Sequence, residues 1–146
     1  MSRKIGIVGS EARKFTPVSE ARARADIRAL LSPGDVVVSG KCPHGGIDIW
    51  SIEEAIKLGL ACEEYPPETL DWETGFKPRD ILIAERADEV NCLTVNMYPP
   101  GYRGKRSELC YHCLTKAHVV SGGCWTVKYA REKLGKPGKI IVIEQG

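Results

Sequence analysis

Short apolar runs alternate with longer mixed segments along nearly the whole chain. KIGIVGS (residues 4–10), DVVVSG (35–40), LACEEY (60–65), DEVNCLTVNM (88–97) and KIIVIE (139–144) are apolar almost throughout. They predict strands buried on both faces. Between them, residues 16–31, 47–60, 79–87 and 124–135 predict helices. Pro17 after Thr16 marks the start of the first helix, and Pro33-Gly34 its end. Val18, Ala21, Ala25 and Leu30 are expected on its buried face, and Ile49, Ile52 and Ile56 on that of the second. Cys62 and Cys92 are expected as core thiols in buried strands.

PPETLDWETGFKP (66–78) holds three prolines and a glycine and predicts a long loop. The longest irregular segment lies between the fourth strand and the last helix. The order β-α-β-α-β-α-β-α-β predicts one α/β domain over residues 1–146. It has three layers: a five-stranded, mostly parallel sheet with helices on both faces. A Cys/His-rich insert spans about 96–120. No repeat or linker interrupts the domain.

Composition adds limits. Apolar residues make up 42% and charged residues 27%, with 21 Lys+Arg against 19 Asp+Glu and a net charge of +2. So balanced a charge argues against nucleic acid as a dedicated partner. Arginines cluster at Arg22, Arg24 and Arg28, and a second basic group is Arg103, Lys105 and Arg106. Both read first as solvated surface. No apolar run approaches the ~20 residues of a membrane span, and the apolar start is too short for a signal peptide. A cytoplasmic protein is expected, with its six cysteines as thiols or metal ligands. A homo-oligomer is compatible with these totals.

In a parallel sheet, ligands sit beyond the C-terminal strand ends where strand order reverses. The glycines gather there. Gly9 and Ser10 follow the first strand, Gly40, Gly45 and Gly46 the second, and Gly122 and Gly123 open the last helix. Glycine at a strand-to-helix turn lets backbone amides approach an anion, and the helix terminus favours negative charge. Three such loops suit a phosphate-bearing small molecule. Neither the Walker A pattern nor G-x-G-x-x-G is present.

The segments KIGIVGS, DVVVSGKCPHGGIDIWSIEEAIKLGL, KPRDILIAERADEV and SGGCWTVKYAREKLGKP resemble, in this order, the SLOG superfamily of Rossmann-like proteins. That group is related to LOG/lysine-decarboxylase-like proteins and to DNA-processing protein A Rossmann domains. The resemblance covers most of the chain outside about 65–76 and 96–117. It implies a nucleotide or nucleotide-derived ligand, held in a sensor or an enzyme. By position it implies phosphate contacts at Gly9 and Ser10, and a second loop of Ser39, Gly40, Gly45, Gly46 and Asp48. It further implies contacts from Arg79, Ser121, Gly122, Gly123 and Thr126. Asp80 stands where the pattern commonly has Asn. The LOG-type enzymes carry a glutamate in the helix after the last glycine loop. Here Lys128 and Tyr129 occupy that region, which weighs against N-glycosidic hydrolysis. Glu11 stands where related sequences often have a basic residue, and would repel phosphate unless it turned away.

Asp48 suits either a ribose hydroxyl, a catalytic base or a helix cap. His44 suits a catalytic group, a metal ligand or an exposed loop, so Asp48 and His44 are the acid/base candidates for a nucleotide hydrolase. Trp125 suits base stacking or packing. Cys42 as a nucleophile would need a partner base.

Cys110-x2-Cys113-x4-His118-x5-Cys124 has the donor set of a zinc site. It resembles a CCHC zinc knuckle, with Leu114 and Ala117 where that motif commonly has glycines. Cys92 and Cys42 are the alternative ligands. Zinc would explain how a long loop stays ordered; the alternative is a reduced, metal-free loop. A zinc-knuckle-like nucleic-acid module using the CYHC turn and Arg103, Lys105 and Arg106 is the third functional class.

Overall fold

The computed structural model describes residues 2–146. Five strands, β1 (Lys4–Gly9), β2 (Val36–Ser39), β3 (Ala61–Glu64), β4 (Glu89–Val95) and β5 (Gly138–Ile143), form one sheet in the order β3-β2-β1-β4-β5. Every pairing is parallel. Four helices, α1 (Pro17–Leu30), α2 (Ile47–Lys57), α3 (Lys77–Arg86) and α4 (Gly122–Leu134), supply the crossovers.

Alternation along each strand explains the apolar runs. Ile5, Ile7, Val37, Leu93 and Val95 pack with Ala23 and Ile27 of α1 and Ile47, Trp50 and Ala55 of α2. Val8, Val38, Val90 and Cys92 point the other way, onto Ile83 and Ala84 of α3 and Val127 and Ala130 of α4. Burying one such aliphatic side chain stabilises by about 1.5–3 kcal/mol, so each face draws its own helix pair. The chain runs outward from β1 through β2 to β3, then returns to the far side of β1 as β4. Strand order therefore reverses between β1 and β4.

The helix faces differ from the sequence expectation. Thr16 and Ser19 close a capping box that sets the phase of α1. Its buried residues are Ser19, Ala23 and Ile27, whereas Ala21 and Ala25 are exposed and Val18 is 53% exposed. Ser19 tolerates burial because its hydroxyl meets Gln145 Oε1. On α2 the buried set is Ile47, Asp48, Trp50, Ser51, Glu54 and Ala55, while Ile56 is 67% exposed. Glu54 can be buried because Arg24, Arg28 and Lys57 bond its carboxylate at 2.8, 2.7 and 3.2 Å. Those three cations outweigh its burial and hold its pKa at about 2.

Residues 66–78 are not all loop. Asp71 accepts from the Thr74 amide and starts a π-helical turn, Trp72–Phe76, that runs directly into α3. This turn carries two aromatic rings to the sheet edge. Cys92 is fully buried, but Cys62 is half-buried because β3 is an edge strand. Among the described residues, no helix is long and apolar enough to cross a membrane.

Candidate functional site

A cavity of about 320 Å³ opens beyond the β1 and β4 strand ends. Gly9, Ser10, Asp48, Arg79, Ser121, Gly122, Gly123 and Thr126 line it, together with His44 and Cys42. Of the other lining residues, Val8, Lys14, Trp72 and Phe76 have no role assigned by the sequence, whereas Glu11 and Asp80 stand at positions that the resemblance singles out.

One wall is the start of α4. Ser121 caps it by accepting from the Gly123 amide at 3.1 Å. The first-turn amides of a helix have no intrahelical acceptor, so this terminus is suited to an anion. Lys14 stands beside it, its ammonium donating to the Val120 carbonyl at 3.1 Å. Burial lowers the Lys14 pKa. Glu11 remains on the cavity lining, and its carboxylate accepts from Arg13 at 2.6 Å, which partly offsets its charge. Ser10 is committed inward, its hydroxyl 2.8 Å from Thr94, which in turn donates to the Val119 carbonyl.

The opposite wall is a buried charge cluster. Arg79 Nη1 donates to the Gly40 carbonyl at 2.6 Å and approaches Asp48 Oδ2 at 3.4 Å. Its Nε donates to Asp80 Oδ1 at 2.7 Å. Asp48 Oδ2 also accepts from the Cys42 amide at 3.2 Å. Asp48 Oδ2 is thus engaged by the loop after β2, and Gly46 occupies the N-cap of α2 without a side-chain bond.

Ser39, Gly40, Gly45 and Gly46 lie behind the cavity rather than on its surface. Ser39 donates to the Asp48 carbonyl at 2.7 Å. A Cβ on Gly40 would fall 1.9 Å from Arg79 Nη1, so only glycine lets the guanidinium in. Gly46 has a positive φ of 82° and meets the Ser10 carbonyl. These residues shape the wall.

Burial pushes Asp48 up to about 6 against the pull of Arg79. Burial pushes Asp80 to about 7, again opposed by Arg79, with Asp48 adding to the rise. One cation serves two carboxylates, so a proton is held here near neutrality. The folded state binds protons that the unfolded chain has released. The stability these acids contribute is therefore full below about pH 4 and lost as pH rises through 6 and 7. Asp80→Asn keeps an acceptor for Arg79 and removes one carboxylate. It should match the parent near pH 4.5 and be more stable at pH 8 by on the order of 2 kcal/mol. Urea melts at the two pH values check this; equal stability at pH 8 would show that Asp80 is not strained there.

Trp125 packs rather than facing the cavity. It stacks on Tyr129 at 5.2 Å and meets the edge of Trp72 at 5.1 Å. Trp72 and Phe76, delivered by the π-turn, present the rings. Their lone sequence signal was an aromatic pair in a proline-flanked loop.

The insert forms a second site. The ligand atoms of Cys110, Cys113, His118 and Cys124 all lie within 4.8 Å of one another. Cys110 and Thr115 bridge their backbones, and Leu114 takes a positive φ of 56°, as the glycine of a knuckle would. Tetrahedral zinc with sulfurs at about 2.3 Å spaces them about 3.8 Å apart, so the cluster needs only a small contraction. His118 Nδ1 sits 3.0 Å from the Val119 carbonyl, which leaves Nε2 for a metal. Burial and the neighbouring thiols push Cys113 to about 12, and its bond to Cys92 together with burial raises Cys124. A divalent cation reverses that balance. Of the alternative ligands, Cys42 lies in the cavity instead, and Cys92 lies outside the four, 4.0 Å from Cys124.

No protein-family model and no curated protein matches this chain. Among solved structures it is similar to DNA processing protein A from Helicobacter pylori, described for its single-stranded DNA binding mode. The two share 18% identity with a TM-score of 0.55. The match covers 94% of this chain and 64% of that one, so the chain spans under two thirds of its neighbour's length. With the five-stranded parallel sheet and its reversal at β1 and β4, this likeness establishes a Rossmann-like α/β fold.

Proposed function

We propose that the protein is a SLOG-type domain that binds a nucleotide or nucleotide-derived small molecule in the cavity at the β1/β4 edge. We further propose that the Cys3His cluster holds zinc and orders the insert. Reduced thiols of that kind suit the cytoplasm. One observation carries the ligand reading: a single cavity combines a helix N-terminus and Lys14 with the carboxylates of Glu11, Asp48 and Asp80 and the rings of Trp72 and Phe76. Phosphate fits the first pair, ribose hydroxyls fit Asp48 and Asp80, and a base fits Trp72. The volume is in the range of small-molecule pockets.

Gly122 gives a clean test. A Cβ there meets nothing within 4 Å, so Gly122→Asp adds a negative charge at the anion wall without a clash. In a thermal-shift screen of nucleoside phosphates and NAD, at least one should stabilise the parent and lose that effect in Gly122→Asp. No stabilisation by any of them, or equal stabilisation of both proteins, sinks the reading. Product analysis of the same mixtures tests the hydrolase form, in which Asp48, Asp80 or His44 handles the proton.

A second reading has its own observation. Tyr98 and Tyr102 stack at 4.8 Å on the insert, with Arg106 over both rings and Arg13 over Tyr102. Arg103 and Lys105 are exposed nearby in the chain. Rings and cations together suit single-stranded nucleic acid, which the structural neighbour binds. An oligonucleotide should then bind with a steep salt dependence. Neutralising Arg103, Lys105 and Arg106 should reduce the slope by about 0.7 per lost contact. An unchanged slope would rule this surface out.

A further inference from the structure

The three cysteines of the metal cluster cannot pair among themselves without leaving one over. A fourth lies beside them. Cys92, in the middle of β4, is fully buried and has its sulfur 4.0 Å from that of Cys124. It belongs neither to the metal set nor to the cavity lining. We infer that Cys92 and Cys124 form an oxidative modification site: peroxide links them in a disulfide, Cys110 and Cys113 in another, and zinc is expelled.

The exposed member admits the oxidant. Cys113 is on the surface, and with Cys124 it borders an opening of about 310 Å³ that also carries Lys128 and Arg131. In the first step Cys113 gives up its proton, or is held as a thiolate by zinc, and its sulfur attacks the O–O bond of hydrogen peroxide, giving a sulfenic acid and hydroxide that takes up a proton to become water. The Cys110 thiolate then attacks that sulfur, the S–S bond forms and hydroxide leaves. A second peroxide oxidises Cys124 in the same way, and Cys92 resolves it. Four thiols and two peroxides yield two disulfides and four waters.

Closing the second pair has a structural consequence. A disulfide holds its sulfurs about 2 Å apart, so Cys92 and Cys124 must approach by about 2 Å. Gly123 packs so closely that a Cβ on it would stand 2.8 Å from Cys92 Sγ and 3.0 Å from the Gly9 amide. The approach therefore displaces the first turn of α4, which is a wall of the ligand cavity. Trp125, the next residue, rides on the same turn against Trp72. Oxidation at the metal cluster is thereby transmitted to the cavity.

The release of zinc rests on the metal reading above; the pairing rests on thiol positions alone. Zinc-loaded and metal-free protein are each treated with limiting hydrogen peroxide. Disulfides are mapped by non-reducing peptide mass spectrometry, zinc is followed with a chromogenic chelator, and tryptophan emission is recorded. The expected result is a Cys92–Cys124 and a Cys110–Cys113 peptide in both samples, a product four hydrogen atoms lighter than the reduced metal-free protein, and release of one zinc from the loaded one. Emission should change, and a dithiol reductant should restore it. Cys92→Ser should still form Cys110–Cys113 and release zinc, but without the emission change; Cys92→Ala serves if that variant misfolds. A free Cys92 thiol after zinc release, or Cys124 linked to Cys110 or Cys113, overturns the inference. Failure to load zinc overturns the metal reading alone, because the metal-free sample still reports the pairing.

Discussion

Arg79→Ala is expected to destabilise the protein by about 3–5 kcal/mol at pH 8 and by clearly less at pH 5. Arg79 is 8% exposed and is the cation that Asp48 and Asp80 share. Removing it leaves two carboxyl groups facing each other in a buried wall and strips the Gly40 carbonyl of its donor. At pH 8 the unfolded chain ionises both acids freely while the folded variant resists, so the full penalty applies. At pH 5 both acids, at about 6 and about 7 even with Arg79 present, are largely protonated in the fold. Less charge then depends on the guanidinium, and the penalty shrinks. Arg79→Lys should not rescue it, because one ammonium cannot donate along both the Nε and Nη1 directions. Denaturant melts at the two pH values measure the difference. An equal loss at both would mean that Arg79 acts by filling space and not by charge. Total stabilities of domains are about 5–15 kcal/mol, so the loss at pH 8 is a large fraction of the whole.

Zinc removal should produce the second large effect, and Cys113→Ser should reproduce it. Cys113 is exposed, so serine there costs little packing, and the metal-free forms of parent and variant should agree within about 0.5 kcal/mol. With zinc, the variant should bind more than a hundredfold more weakly. Loss of a direct ligand exceeds the roughly 10–100-fold cost of losing an outer partner. Chelation of the parent should open residues 97–117 to protease while the sheet remains protected, because the insert's buried groups are few and centre on Cys110 and His118. Equal zinc affinity in parent and Cys113→Ser would remove that cysteine from the site. Protease cleavage unaffected by chelation would mean the insert orders itself without metal.

The main architecture is legible in the sequence. Continuous apolar runs such as VVVS and NCLTV can lie only in strands covered on both sides, and four intervening helices force parallel crossovers. The glycine loops were legible for a similar reason: glycine is recognisable wherever backbone must pass close to something. What it passes close to was not. Gly40 meets the Arg79 guanidinium, and Gly123 meets Cys92. The helix faces depart from the sequence pattern because counting isoleucines assumes that polar residues stay outside. Glu54 is buried on α2 through arginines from α1, which no pattern within α2 could show.

The sequence by itself determined the order of the strands and main helices, the glycine loops that gather at one sheet edge, and a Cys/His donor set in which Cys92 and Cys42 stayed open as alternatives. Each is a local property, carried by periodicity, by glycine, or by cysteine and histidine spacing within a short stretch. Tertiary structure alone decided that Arg79 is shared by Asp48 and Asp80, that Lys14 and Trp72 enter the cavity, and that Cys92 stands beside Cys124. These partners come from different elements, and only the packing of the two helical layers on one twisted sheet brings them within bonding distance. Charge and reactivity at the site follow from that burial, which no single segment of the chain encodes.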